Sequence, residues 1–196
     1  GFVIFITMLS TIPPLATDMY MPALPQMVDV FNTTTTLTSF TMTIFFVFMA
    51  LGILIFGPLS DKYGRKPILL FSISLTLIAS ILCSLSPTIQ FLIVVRAIQA
   101  LGAGGMVTTA TALIRDSFEG KEMGQVLSIT QALGFLAPML APLIGAFILM
   151  YFDWSKTFIV LACMNTISLI GALLLKETLP KDKRTSDSVF HSVFGI

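Results

Sequence analysis

Two long apolar runs of the chain are joined by the polar segment Gly57-Pro-Leu-Ser-Asp-Lys-Tyr-Gly-Arg-Lys-Pro67. Two glycines, Gly57 and Gly64, bracket an acidic residue, and glycine is the residue that tight turns accept most readily. We therefore predict a tight turn between two packed helices, with an ion-pair cluster of polar side chains beside it. A basic loop next to a membrane would explain the cations of the segment, but it would not explain two glycines at this spacing. The polar side chains are those of Asp61, Lys62, Arg65 and Lys66.

The composition is that of an integral membrane protein. Hydrophobic residues make up 56% of the chain and charged residues 11%, whereas soluble domains have roughly 25% charged residues. The net charge of +1 gives no basis for nucleic-acid binding. Cys83 and Cys163 both lie within apolar runs, so we expect neither a disulfide nor a metal site. The sequence offers no enzymatic nucleophile and no phosphate-binding loop, so we expect no catalytic residue and no cofactor.

Six apolar runs are long enough to cross a bilayer, which takes about 20 residues of helix. They are too long and alternate too little for barrel strands, so the predicted fold class is all-α and integral to the membrane. A six-helix bundle is expected over residues 1–175, with its first helix truncated at the start, and a polar linker over 176–196. Pro22 and Pro25 are expected to end the first helix, and the hydroxyls of residues 33–36 to cap the second. The predicted spans are 1–20, 37–56, 68–85, 89–113, 123–151 and 157–175.

The basic residues predict the orientation of the bundle. Nine of them fall on one side of the predicted spans, and only Lys156 falls on the other. The side of a membrane protein that is rich in Lys and Arg faces the cytoplasm. We therefore expect a multi-pass protein of the cell (inner) membrane whose N-terminus and polar tail are both cytoplasmic. The nine residues are Lys62, Arg65, Lys66, Arg115, Lys121, Lys176, Lys181, Lys183 and Arg184.

Two charged residues of opposite sign lie within the predicted spans. Arg96 stands in the middle of the fourth span, about 10 Å along the helix from its nearer end, and Asp18 is the one acid in any span. A cation at this depth is costly, so it should face a protein interior or a water-filled cavity near a partner. We expect Asp18 and Arg96 to lie close together, where burial and the cation would act on the protonation of Asp18 in opposite directions. The alternative for Asp18 is an interfacial residue near the outer end of its helix.

These motifs resemble those of the major facilitator superfamily of membrane transporters. The superfamily signature between helices two and three, G-x-L-x-D-r-x-G-r-k, is matched at every key position. The fourth span looks like the R-x-x-q-G-x-g motif of proton-coupled members, at Arg96, Gln99 and Gly102, with Ala100 where the motif has glycine. The signature residues are Gly57, Asp61, Gly64, Arg65 and Lys66.

Two further segments resemble those of exporters. The fifth span looks like the antiporter motif G-P-x-x-G-G, although Ala141 and Ala146 replace two of its glycines. The segment Thr17-Asp-Met-Tyr-Met-Pro-Ala-Leu-Pro25 is similar to the end of the first helix in the Bcr/CflA group of drug:proton antiporters. The fifth-span residues in question are Gly134, Pro138, Pro142 and Gly145.

The resemblance implies a fold and an arrangement of sites. It implies two inverted three-helix repeats that form the N-terminal half of a twelve-helix transporter, so that a second half completes the protein. The signature cluster is implied to stabilise the outward-facing state. Because the loop after span two and the end of span four reach the same face, we expect Asp61 and Arg65 to lie near Asp116 or Glu119.

The function implied is proton-coupled efflux of small hydrophobic or amphiphilic drugs or metabolites, driven by the proton gradient. In this interpretation Asp18 carries the proton or competes with substrate, Arg96 tunes it, and Gln99 donates hydrogen bonds within the cavity. One alternative is a proton-coupled importer of a sugar or organic acid. Another is a receptor or scaffold that does not transport. The partners expected are the substrate, protons, the lipid bilayer and the second half.

Overall fold

The structure, a computed structural model, describes residues 1–180 and Arg184. All regular secondary structure within these residues is helical. Six stretches of helix are long and apolar enough to cross a membrane within these residues, the first of them divided into three shorter elements. This confirms the predicted fold class. The helices are α1 (Phe2–Asp18), a 3₁₀ turn (Met21–Ala23), α2 (Leu24–Val30), α3 (Thr35–Tyr63), α4 (Arg65–Ser84), α5 (Ile89–Ser117), α6 (Gly120–Tyr151) and α7 (Ser155–Leu174).

The packing of the helices follows the inverted repeat. The first repeat consists of α1, α3 and α4, and the second of α5, α6 and α7. Helix α3 packs on α5, and its repeat equivalent α6 packs on α1. In the same way α4 packs on α5 while α7 packs on α1, and α4 and α7 pack on each other. Each of these helix pairs therefore has an equivalent pair in which the two repeats have changed places, as a pseudo-two-fold axis requires.

The segment 57–67 is more helical than predicted. Helix α3 continues through Pro58 to Tyr63, and α4 starts at Arg65, so Gly64 alone separates them. Gly64 has φ +106, a conformation that side chains disfavour. The predicted tight turn is therefore the single residue Gly64, and the flanking helices extend beyond the predicted spans 37–56 and 68–85. A proline within a membrane helix is tolerated because neighbouring groups satisfy the freed backbone, so Pro58 does not end α3.

The first helix ends differently from the prediction. Helix α1 stops at Asp18, and the chain continues as a 3₁₀ turn and α2 instead of a loop. Pro22 and Pro25 stand in the first positions of these two elements, where proline's missing N–H has no helical partner to lose. The prolines thus start short helices here. The prediction that a hydroxyl caps the second span is confirmed, because Thr34 Oγ1 accepts a hydrogen bond from Leu37 N at 3.4 Å.

Glycines bring the central helices close together. A side chain at Gly52 would place its Cβ 2.5 Å from the carbonyl oxygen of Leu101 on α5. Gly104 on α5 lies as tightly against the backbone of Met49 on α3. The small residues of α5 therefore form a packing seam, as membrane helix interfaces commonly do. This seam fixes the position of Arg96 two turns earlier on the same helix.

Candidate functional site

Arg65 is the centre of a charged cluster at one end of the bundle. Its Nε donates to Asp116 Oδ2 at 2.8 Å, and its Nη1 forms an ion pair with Asp61 and donates to Ser60 Oγ at 2.8 Å. The guanidinium is therefore held by two carboxylates and a hydroxyl. The predicted proximity of Asp61 and Arg65 to Asp116 is confirmed. Asp116 belongs to the last turn of α5, which extends four residues beyond the predicted span.

Glu177 completes this cluster, and the sequence analysis did not identify it. Its Oε1 accepts from the backbone N of Arg65 at 2.9 Å, and its Oε2 accepts from the backbone N of Lys66 at 3.2 Å. Lys66 Nζ in turn donates to the carbonyl oxygen of Leu173 at 2.8 Å. Glu177, which follows α7, thus places an anion at the N-terminus of α4. Lys66, which belongs to α4, places a cation at the C-terminus of α7. Glu177 is the first acid after the last apolar run, in a tail that begins with Lys176, and this position is the sequence signal that points to it.

Arg96 is fully buried, and no carboxylate of the described residues forms an ion pair with it. Its Nη1 donates to the carbonyl oxygen of Ala16 on α1 at 2.9 Å and to Gln99 Oε1 at 2.9 Å. Gln99 Nε2 donates onward to Ser80 Oγ at 2.8 Å. The Nε and Nη2 atoms of Arg96 have no hydrogen-bond partner among the described residues. The cation is therefore met by neutral acceptors on α1 and on its own helix, and Gln99 connects it to α4.

Three aromatic rings surround the remaining faces of Arg96. The guanidinium carbon lies 4.3 Å from the ring centroid of Phe45, 4.9 Å from that of Tyr20 and 5.7 Å from that of Phe158. The face of an aromatic ring attracts a cation, and the attraction is about 2 kcal/mol or more in a desolvated site. This aromatic cage takes the place that we predicted for a carboxylate. Nothing in the spacing of Tyr20, Phe45 and Phe158 along the chain indicates that they meet.

The predicted proximity of Asp18 and Arg96 does not take the form of an ion pair among the described residues. The ion pairs within residues 1–180 and Arg184 involve other partners, and Asp18 instead accepts a hydrogen bond from Thr17 Oγ1 at 3.3 Å. The physical reason is the twist of the helix. Two residues along a helix turn by about 200°, so when the Ala16 carbonyl faces Arg96, Asp18 points to a different side. Similar depth along two helices did not imply a shared face.

Asp18 lines a cavity of about 280 Å³ on that other side. The rest of its wall consists of proline, threonine and apolar side chains, so Asp18 is the one ionisable group that lines it within the described part of the chain. The cavity is bounded by α1, α3, α5 and α6. The lining residues are Pro13, Pro14, Thr17, Asp18, Phe46, Met49, Val107 and Pro138.

Three cavities follow one another along α5. The cavity at Asp18, a second of about 360 Å³ between α1, α5 and α6, and a third of about 330 Å³ at the charged cluster all share Val107 as a lining residue. The third is bounded by Gly57, Asp61, Arg65 and Asp116, among others. These three cavities, which we call the cleft, lie in a row along α5 from Asp18 to the Arg65 cluster, and Val107 stands where they adjoin.

The fifth-span motif contributes to this cleft and to its wall. Gly134 and Pro138 line the second cavity, and Pro138 also lines the cavity at Asp18. Gly145 packs directly on the carbonyl oxygen of Met19, the residue that follows Asp18, and leaves no space for a side chain. Pro142 lies within α6, which continues unbroken past both prolines. The glycine thus supports the end of α1 from the α6 side.

Comparison with known proteins identifies the family. The family model described as Major Facilitator Superfamily matches residues 4–193. The chain belongs to the major facilitator superfamily. Six membrane-spanning helices and bacterial relatives make it a multi-pass membrane protein, and the family is one of transporters.

The relatives agree with this assignment. The chain is 36% identical over 95% of its length to the uncharacterized MFS-type transporter YdgK of Bacillus subtilis, of which it covers 47%. It is 32% identical over 89% of its length to the multidrug resistance protein MdtL of Escherichia coli O127:H6, of which it covers 45%. The chain thus spans about half the length of the curated relatives it matches.

A solved structure has the same fold. The crystal structure of the human organic anion transporter MFSD10 superposes with a TM-score of 0.77 at 18% identity. The match covers 94% of this chain and 49% of that one. At this identity the similarity shows the fold of a major facilitator half and no more.

Proposed function

We propose that this chain is the first half of a proton-coupled exporter of small hydrophobic or amphiphilic compounds, of the Bcr/CflA type. The observation that carries the proposal is Asp18, a carboxylate in a cavity whose other lining is uncharged and largely apolar. A carboxylate in such a place can release its proton when a cationic or neutral guest binds, because either the proton or the guest can stabilise the carboxylate. The name of the relative MdtL, a multidrug resistance protein, supports export over import.

Arg96 acts on Asp18 through the backbone in this proposal. Arg96 stays charged at any ordinary pH, so it is a fixed cation. It binds the Ala16 carbonyl, in the last turn of α1, where helix carbonyls lack partners of their own. Arg96 and Gln99 therefore hold the end of α1, and the position of Asp18 follows from that end. Protonation of Asp18 and movement of this turn would then be coupled without a direct ion pair.

The charged cluster serves as the cytoplasmic gate in this proposal. The nine cations on its side of the bundle favour the cytoplasm by the positive-inside rule. Both the N-terminus and the residues after α7 would then lie inside the cell, in the inner membrane of a bacterium. Asp61 is half-exposed beside its cavity, so its free face is available to the second half of the protein. The cluster would hold that half in the outward-facing state.

Vesicles that contain the full-length protein test the direction of transport. Inside-out vesicles with an acidic interior should accumulate tetraphenylphosphonium or chloramphenicol, because an exporter exchanges the outgoing proton for the compound. A proton-coupled importer would instead release a preloaded solute under the same gradient. A receptor or scaffold would move neither.

One substitution tests the assignment of Asp18. Asp18→Asn should abolish accumulation, because the amide cannot carry the exchanged proton. Asp29→Asn is the matched control, since Asp29 is an exposed acid on α2 outside the three cavities. Accumulation by Asp18→Asn with an unaltered dependence on pH would contradict the role of Asp18.

A further inference from the structure

The second of the three cavities is lined by neutral polar and apolar residues among those that the structure describes. It has a volume of about 360 Å³ and lies between α1, α5 and α6. Four neutral hydrogen-bonding side chains from these three helices line it, and the remaining lining residues are apolar or glycine. The four are Ser10, Thr111, Thr130 and Gln131. Convergent neutral polar groups on an otherwise apolar wall are the usual means by which a ligand site fixes orientation.

Two of the three hydroxyls are already committed as donors. Ser10 Oγ donates to the carbonyl oxygen of Ile6 at 3.2 Å, and Thr111 Oγ1 donates to that of Val107 at 3.0 Å. Their hydroxyl hydrogens are therefore used within their own helices. Their oxygens keep lone pairs that can accept a hydrogen bond from a guest in the cavity.

The other two side chains are not committed. Thr130 Oγ1 is buried and has no hydrogen-bond partner among the described residues, although a neighbour on the same helix, Ser128, donates to its own i−4 carbonyl at 2.8 Å. A buried hydroxyl without a partner costs about 1–3 kcal/mol. Gln131, one residue further, is exposed to the cavity side and offers both an amide donor and a carbonyl acceptor. Thr130 and Gln131 can thus donate while Ser10 and Thr111 accept.

The cavity adjoins the one that contains Asp18. Val107 and Pro138 line both of them, so a compound in one reaches the other past these two side chains. The Asp18 cavity offers a carboxylate with Phe46 and Met49, while its neighbour offers neutral donors and acceptors. One cavity offers a carboxylate and the other offers neutral hydrogen-bonding groups, so one extended molecule can bind to both.

We propose that Thr130 and Gln131 form a second substrate subsite, which binds a neutral hydroxyl or amide group while the apolar remainder of the compound extends past Val107 towards Asp18. The inference rests on the proposed export function, and it makes amphiphiles with a neutral group that both donates and accepts hydrogen bonds the preferred substrates. It also makes these two side chains determinants of specificity, because a compound without such a group leaves them unsatisfied.

Two probes separate this subsite from the rest of the cleft. Tetraphenylphosphonium has no hydroxyl or amide group, whereas chloramphenicol has both. In the full-length protein, Gln131→Leu and Thr130→Val should each raise the half-saturating concentration for chloramphenicol about tenfold, the effect of one lost hydrogen bond. Transport of tetraphenylphosphonium should change less than about twofold, because the probe makes no hydrogen bond there. Gln125→Leu, an exposed glutamine on the same helix outside the three cavities, is the matched control.

A binding readout keeps the subsite distinct from export. In a background without other cysteines, Gln131→Cys should react with a maleimide more slowly when chloramphenicol is present, but at the same rate with tetraphenylphosphonium. This protection requires only binding, so it can succeed where transport fails. Equal slowing by both probes, or by neither, overturns the subsite. So does an equal loss of transport of both probes in Gln131→Leu. Protection without transport of either probe leaves the subsite standing and contradicts the proposed export.

Discussion

Arg65 and Arg96 are both almost fully enclosed, yet their surroundings have opposite character. Arg65 lies at the charged end of the bundle and is held by the carboxylates of Asp61 and Asp116. Arg96 lies in the middle of α5, where a backbone carbonyl, an amide and three aromatic rings surround it. A carboxylate beside Arg96 would have added a second buried charge with its own desolvation cost. Near the end of the bundle that cost is small, so charge pairs with charge.

The two environments suit two different tasks. An ion pair at the end of a bundle can break and re-form as helices separate, because water replaces the lost partner at moderate cost. The neutral cage around Arg96 has no such replacement, so it holds the end of α1 in one arrangement. We therefore expect the charged end of the bundle to be mobile and the region around Arg96 to be rigid.

The largest effect is expected at Arg96. Arg96→Ala in the full-length protein should abolish export, because the α1 carbonyl and Gln99 both lose their donor. Arg96→Lys should restore only part of the activity, since a point charge cannot replace a planar group among three rings. Initial rates of export in vesicles, at matched protein levels, measure this. Full activity in Arg96→Lys would show that charge alone suffices and would contradict the role of the aromatic cage.

A double-mutant cycle tests the paired arginine next. Removal of Arg65 and Asp116, singly and together, should give a coupling free energy of about 1–3 kcal/mol, as expected for a charged hydrogen bond. The same cycle on Arg96 and Asp18 should give a coupling within about 0.5 kcal/mol of zero, because they make no direct contact. Unfolding of the purified protein measures both. A strong coupling between Arg96 and Asp18 would restore the ion pair that the sequence suggested.

Glu177 provides a smaller effect at the charged end. Glu177→Gln weakens the cap on α4 and should lower the free energy of unfolding by about 1 kcal/mol. Glu119→Gln is the control, because Glu119 is an exposed acid before α6 whose side chain makes no capping hydrogen bond. Thermal unfolding in detergent measures the difference. An equal loss in both variants would indicate a general charge effect and no specific cap.

The smallest effect is expected for the stability of Asp18→Asn. Asp18 lines a cavity and has no charged partner among residues 1–180 and Arg184, so its replacement should change the free energy of unfolding by less than about 0.5 kcal/mol. Export should nevertheless be lost, so this variant separates function from stability. Thermal unfolding beside the vesicle assay checks it. A large loss of stability would mean that Asp18 supports the bundle.

Much of the charged end was predictable from the sequence. The residues from Gly57 to Lys66 lie close together along the chain, and the superfamily signature indicates their role. The proximity of Asp116 followed from the order of the helices, since α3 and α5 end at the same side of the bundle. Glu177 was missed because it is distant in sequence and belongs to a tail whose composition suggested a linker.

The sequence by itself determined the six spans, the family and the two residues that bear charge within the membrane. Each of these depends on hydrophobicity along the chain or on short motifs, which are local properties. Only the tertiary structure decided the partners of those charges. Whether Asp18 or the Ala16 carbonyl faces Arg96 depends on the rotation of α1 about its axis, and that rotation is set by close packing such as that of Gly145 on Met19. The cage of Tyr20, Phe45 and Phe158 likewise joins the turn after α1 to α3 and α7, which are far apart in sequence.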